Sequence, residues 1–171
     1  MKKILLLVLV TTAIMLSGTI KADAALPQNS NMSTAETLYY SGEFCKFYDL
    51  LERADLNRVL KGRGPYTVFA PSDAALANVP QDMLNKLAGA QNQCELERAM
   101  RYHIVSDCVS CQQLAAGSTI KTTDGRCVCA GNAANAITLN NARIVQSVNT
   151  NNGVIHVIDN ILLPSDQLSL R

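Results

Sequence analysis

The sequence predicts one α+β domain, with helices in its first half and short strands in its second half. Up to Tyr102, apolar side chains recur every three or four residues, which is typical of amphipathic helices. After Gly117 the chain changes to short β-branched runs separated by turn residues. The chain shows no internal repeat, and helices followed by strands argue against a βαβ array.

The N-terminus has the pattern of an export signal. Lys2 and Lys3 precede an apolar run, residues 4–16, and a small-residue cleavage pattern, residues 22–24. Because spanning a bilayer takes about 20 apolar residues, we interpret residues 1–24 as a cleaved signal peptide, the alternative being an uncleaved anchor. The remaining parts are a flexible leader, residues 25–33, the domain, residues 34–164, and a C-terminal tail, residues 165–171.

Composition restricts the partners of the exported part. Without the predicted signal peptide, 12 basic side chains face 13 acidic ones, so nothing attracts a phosphate backbone. The chain has no Trp and only 5% aromatic residues, which disfavours stacking on single-stranded nucleic acid. We therefore expect no nucleic-acid partner, and no stable membrane insertion once the signal is removed.

The first half is predicted to hold six helices and one strand. A helix begins at Thr34, and an apolar stripe places a second over residues 44–51. Asp55 is expected to cap a short third helix. The other elements are a strand over residues 66–70 that Pro71 stops, a small helix capped by Ser72, a helix after Pro80 and a helix that ends at Tyr102.

The second half is predicted to hold strands over residues 118–122, 126–130, 136–139, 142–148 and 154–158. Asn140 and Asn141 lie between two of these strands, and Asn tolerates positive φ, so we expect a hairpin turn there. Residues 150–153 are predicted to form a second turn.

Six cysteines follow the predicted signal: Cys45, Cys94, Cys108, Cys111, Cys127 and Cys129. An even number in an exported chain predicts disulfides, although about 15 pairings are possible. Cys127 and Cys129 lie two apart in a strand, point to the same face and are poorly placed to bond each other. We favour a disulfide between Cys45 and Cys94. We expect the pair Cys108 and Cys111 to be bonded to the pair Cys127 and Cys129.

The cysteines also support an alternative function. Cys108 and Cys111 have the spacing of a thiol–disulfide oxidoreductase, but the preceding βαβ context is missing. With Cys127 and Cys129 they nearly form a four-thiolate zinc pattern, whose second pair has C-x-C spacing. The alternative is therefore a periplasmic redox or metal-binding protein. We favour structural disulfides and expect no metal, no cofactor and no catalysis, since no nucleophile motif is present.

Three segments resemble the fasciclin domain family: YTVFAPSDAAL, residues 66–76, Tyr102-His103, and GVIHVIDNILLP, residues 153–164. The resemblance implies a wedge of about seven strands packed with several helices. It also implies a secreted or periplasmic, non-catalytic adhesion or protein-interaction module whose partner is a component of a cell surface or matrix.

The resemblance also assigns roles to particular residues. Tyr102 and His103 become candidate interaction residues, although the chain has no Asp-Ile dipeptide of the kind linked to receptor recognition in animal relatives. Asp73 and His103 resemble the family's buried polar pair, for which we expect a structural role. His156 lies in an alternating strand and is expected to be a structural histidine as well.

Overall fold

The computed structural model describes residues 31–89, 92–133 and 136–164. The predicted signal peptide, residues 25–30 of the leader and the C-terminal tail lie outside these residues. The helices are α1 Thr34–Tyr40, α2 Cys45–Arg53, α3 Asn57–Leu60, α4 Asp73–Ala77, α5 Gln81–Ala88, α6 Gln93–Tyr102 and α7 Cys111–Ala115. The strands are β1 Tyr66–Pro71, β2 Ile104–Val105, β3 Thr119–Lys121, β4 Cys127–Ala133, β5 Ala136–Leu139, β6 Ala142–Thr150 and β7 Gly153–Ile158.

The six predicted helices are present, and two of them begin at a serine that caps the helix. Ser33, in the predicted leader, forms a capping box with Glu36 at the start of α1. Ser72 caps α4 as predicted, by accepting a hydrogen bond from the Ala75 amide. The expected cap at Asp55 was wrong: this residue has a φ of 55°, and Leu56 occupies the N-cap position of α3 without a side-chain bond.

Two elements were not predicted. Helix α7 has only five residues, too few for an apolar period, but its capping box between Ser110 and Gln113 is a signal that the sequence contains. Strand β2 is a two-residue pairing with β1, below the length that a strand pattern requires. Among the described residues, no helix combines the length and the apolar character needed to cross a bilayer.

The seven strands form one sheet in the order β2-β1-β7-β6-β5-β4-β3. The β1–β7 pair is parallel and the other pairs are antiparallel. The predicted turn between β5 and β6 is confirmed, with Asn140 at a φ of 51°. This architecture of helices and a seven-stranded sheet confirms the predicted α+β fold.

The parallel β1–β7 pair brings two of the three resembling segments side by side. The register runs from Tyr66 opposite Gly153 to Pro71 opposite Ile158. Gly153 is required at this point, because a Cβ there would overlap the carbonyl oxygen of Tyr66.

The core divides into two clusters. The larger one joins the apolar sides of α1, α2 and α6 to the sheet, with Phe44, Phe47, Leu51, Val68 and Ile155 fully buried. The smaller cluster includes α7 and the far strands and is built from residues such as Phe69, Leu114, Val128, Ile158 and Leu162. Phe69 therefore belongs to a different cluster from its neighbour Val68, as alternation along a strand requires.

Candidate functional site

Tyr102 is a buried anchor at the end of α6. Only 4% of its surface is exposed. Its hydroxyl donates to the carbonyl of Cys127 at 3.0 Å and accepts from the side-chain amide of Asn140 at 3.0 Å. Burial is the main cause that raises the pKa of Tyr102. In this structure its side chain joins α6 to β4 and the β5–β6 turn, and its role as an interaction residue stays a prediction.

His103 is also buried, with none of its surface exposed. Its Nδ1 lies 2.8 Å from the carbonyl of Ala99, and its Nε2 lies 3.1 Å from the amide of Leu162, which can only donate. Nε2 therefore accepts and Nδ1 carries the proton. Burial lowers the pKa of His103 to about 4, so the ring is neutral at pH 7. The role of His103 as an interaction residue likewise stays a prediction.

Asp73 lies at the start of α4 but caps a different helix. Its carboxylate accepts from the amide of Cys45 at 3.2 Å and from the amide of Lys46 at 2.9 Å, the first two residues of α2. The side chain of Asp73 makes no described hydrogen bond to His103, whose two ring nitrogens bond Ala99 and Leu162. The expected Asp73–His103 pair is therefore corrected: each residue is held by backbone groups elsewhere.

His156 links three parts of the chain. Its Nε2 lies 2.8 Å from the carbonyl of Val109, and its Nδ1 lies 2.7 Å from the hydroxyl of Ser147. Its ring stacks on Phe69 at a centroid distance of 5.8 Å. Burial lowers the pKa of His156. The thiol of Cys111 completes the group, 3.0 Å from the Ser147 hydroxyl and 3.9 Å from Nδ1.

The six cysteines are free thiols, five of them exposed and Cys111 half-buried. Gln93, next to Cys94, donates to the carbonyl of Arg53 at the C-terminal end of α2. Cys45 begins α2, at the opposite end of that helix from Arg53, about 12 Å along its axis, and no bond joins Cys45 to Cys94. The structure thus gives no support to a bond between Cys45 and Cys94.

The other four cysteines do not form one group. Cys127 and Cys129 are exposed on β4, on the face opposite the buried Val128, whereas the Cys111 thiol faces Ser147 on β6. Within residues 31–89, 92–133 and 136–164, no three His, Cys, Asp or Glu side chains are grouped closely enough to hold a metal ion. The four-cysteine site that the alternative function needs is therefore not assembled in the described part of the chain.

An exposed aromatic cluster, which the sequence did not single out, lies on α1 and α2. Tyr39 is 59% exposed and Tyr40 is 66% exposed. The ring of Tyr39 lies 5.0 Å from the ring of Tyr40 and 5.3 Å from that of the half-buried Tyr48. We call Tyr39, Tyr40 and Tyr48 the tyrosine patch. The other exposed large apolar side chains of the described residues are Val59 and Val145.

Comparisons with known proteins agree on one family. A sequence model of the fasciclin domain matches residues 42–164. Protein sll1483 of Synechocystis sp. is 30% identical over 146 residues, which cover 80% of this chain and 76% of that protein. Human periostin is 31% identical over 113 residues, which cover 65% of this chain but only 13% of periostin.

A solved structure shows the same fold. It is a FAS1 domain pair from the insect cell adhesion molecule fasciclin I, matched with a TM-score of 0.69 at 18% identity. The match covers 80% of this chain and 52% of that one.

Proposed function

The chain belongs to the fasciclin domain family, and we propose that it is a secreted, non-catalytic adhesion or protein-interaction module. The family match spans most of the described residues. The matched solved structure comes from a protein described as an insect cell adhesion molecule. These likenesses support the class of function.

The tyrosine patch is the observation that carries the proposal. Tyrosines supply large aromatic area with a polar tip and few rotatable bonds, and they are enriched at the energetic centres of protein interfaces. Single exposed apolar residues are ordinary on a surface, but Tyr39 and Tyr40 pack against each other and so form one continuous aromatic area. We propose that this area contacts a protein of a cell surface or matrix.

The near balance of charge supports a contact of this kind. With about as many acidic as basic side chains in the exported part, long-range electrostatic attraction contributes little. Affinity would then depend on buried aromatic area, so binding is expected to change little between low and physiological salt.

The proposal also includes export of the chain and disulfide bonding. Export rests on the charged and apolar pattern of residues 1–24. Disulfide bonding rests on the even number of cysteines in an oxidising compartment. Mass spectrometry of the secreted, unreduced protein checks both, through the first residue of the mature chain and the number of linked cysteines.

Cell attachment tests the class of function. Beads coated with the domain are mixed with cells of the source organism before and after the cells are treated with a protease. We expect attachment to coated beads to exceed attachment to albumin-coated beads and to fall after protease treatment. Equal attachment to both kinds of bead would refute the adhesive role, and attachment that survives the protease would refute a protein partner.

A further inference from the structure

Cys111, Ser147 and His156 form a hydrogen-bonded chain whose direction can be worked out. The Val109 carbonyl only accepts, so His156 Nε2 at 2.8 Å must be the donor. The buried ring is neutral, so its Nδ1 must accept from the Ser147 hydroxyl at 2.7 Å. The hydroxyl then has no second proton to give.

The thiol occupies the remaining place in this chain. The one proton of the Ser147 hydroxyl is directed at His156. Toward the Cys111 sulfur, which lies 3.0 Å away, the hydroxyl oxygen can therefore only accept a hydrogen bond. The thiol therefore donates to Ser147, and the three groups are aligned for transfer of the thiol proton toward the imidazole. A cysteine whose proton is directed to a base is the arrangement that activates a thiol nucleophile.

We propose that Cys111 is a reactive thiol site that exchanges with low-molecular-weight disulfides, with Ser147 and His156 as the groups that position and carry its proton. The site lies outside the tyrosine patch and does not depend on the adhesive role. The reaction needs Cys111 as a thiol, as it stands in this structure, so at most four of the other five cysteines can be linked by the proposed disulfides. It consumes that one thiol of the chain, so it is a modification of the protein.

The exchange step balances without a further reactant. As the Cys111 sulfur attacks one sulfur of the disulfide, its proton moves to Ser147 and the Ser147 proton moves to His156. A new S–S bond joins Cys111 to half of the disulfide while the old S–S bond breaks. The imidazolium then releases its proton to solvent, and the departing thiolate takes up a proton from solvent. One thiol is thus exchanged for another.

Solvent exposure and the proton chain lead to opposite predictions of how fast Cys111 reacts relative to the other thiols. Cys111 is the least exposed of them, so access alone makes it the slowest to react. Cys45 provides the contrast, because it is exposed and its sulfur contacts only the carbonyl of Gly42, at 3.5 Å, among its described polar contacts.

The test measures the rate of modification at each cysteine of the reduced, folded domain by glutathione disulfide, with peptide mass spectrometry after short reaction times. We expect Cys111 to react at least 10-fold faster than Cys45. Ser147→Ala is expected to slow Cys111 about 10-fold and leave Cys45 unchanged, which also serves as an internal check on folding. Ser147→Thr keeps the hydroxyl and suits a strand, so it should restore the rate.

Two results would overturn the proposal. One is a wild-type domain in which Cys111 reacts more slowly than Cys45. The other is a Ser147→Ala variant that keeps the wild-type rate at Cys111. The first comparison needs no substitution, so the proposal can fail even where a variant does not fold.

Discussion

Thr34 and Asn152 lie 118 positions apart in the chain, yet the amide and the hydroxyl of Thr34 both donate to the Oδ1 atom of Asn152 at 2.8 Å. The Nδ2 atom of Asn152 donates in turn to the carbonyls of Leu60 and Gly62, at 2.9 and 2.7 Å. One side-chain amide thus joins the start of α1, the end of α3 and the β6–β7 turn. Because α1 carries Tyr39 and Tyr40, this amide also fixes the position of the tyrosine patch.

Replacing Asn152 by Ala is expected to lower the free energy of unfolding by about 3 kcal/mol, because it removes the partner of three backbone groups, the Thr34 amide and the Leu60 and Gly62 carbonyls. Urea unfolding followed by circular dichroism measures this loss. Asn151→Ala is the matched control, since the exposed Asn151 side chain makes one described bond, to the carbonyl of Asn31 at 3.1 Å, and should cost under about 1 kcal/mol. Equal losses for the two variants would contradict the role of Asn152.

His103 is expected to make the domain less stable in acid. Its pKa in the folded protein is about 4, below the 6.5 of an unfolded chain, so the unfolded state binds a proton first as the pH falls. The domain has its full stability with respect to His103 above pH 6.5. Between pH 6.5 and 4 the free energy of unfolding falls by about 3 kcal/mol because of this residue.

The measurement for His103 is the urea midpoint between pH 7.5 and 4. His156 contributes a slope of the same sign, since burial lowers its pKa too. Replacing His103 by Gln, which cannot titrate, should reduce the slope while that of His156 remains. A slope in the His103→Gln variant equal to that of the parent would show that His103 does not titrate in this range.

The carboxylate of Asp73 is expected to stabilise α2 from outside the helix. Asp73→Ala removes two charge-assisted bonds to the first amides of α2 and should cost about 1–2 kcal/mol. The exposed Asp82, in the first turn of α5, is the control, for which Ala should cost about 0.5 kcal/mol or less. Thermal unfolding compares the two, and an equal shift in Tm would argue against the cap.

Local pattern was enough to predict most of the fold. The spacing of apolar residues predicted α2 and α6, the capping residue Ser72 predicted the start of α4, and Asn140 predicted the β5–β6 turn. The segments over residues 66–76 and 153–164 were recognised separately, and their adjacency as parallel strands appeared only in the structure. The pairing of two strands that lie far apart in the sequence cannot be predicted from the residues of either strand alone.

The site was harder to predict, because its contacts join distant residues. Whether Tyr102 is exposed depends on Cys127 and Asn140, which come to it from other elements. Asp73 was expected to meet His103, but the N-terminus of α2 offers free amides nearer to its carboxylate. The proton chain needs Ser147, which is an ordinary polar residue of a strand until the fold places it between Cys111 and His156.

The most direct test of the adhesive role compares attachment of cells to three versions of the domain: the parent, Tyr39→Ser/Tyr40→Ser, and Val145→Ser. Val145 is 69% exposed on β6, so its replacement removes an exposed apolar side chain from a different element of the fold. With all three shown to be folded, we predict at least a fivefold loss of attachment for the tyrosine variant and none for Val145→Ser. Attachment by the tyrosine variant equal to that of the parent would contradict the assignment of the tyrosine patch as the contact surface.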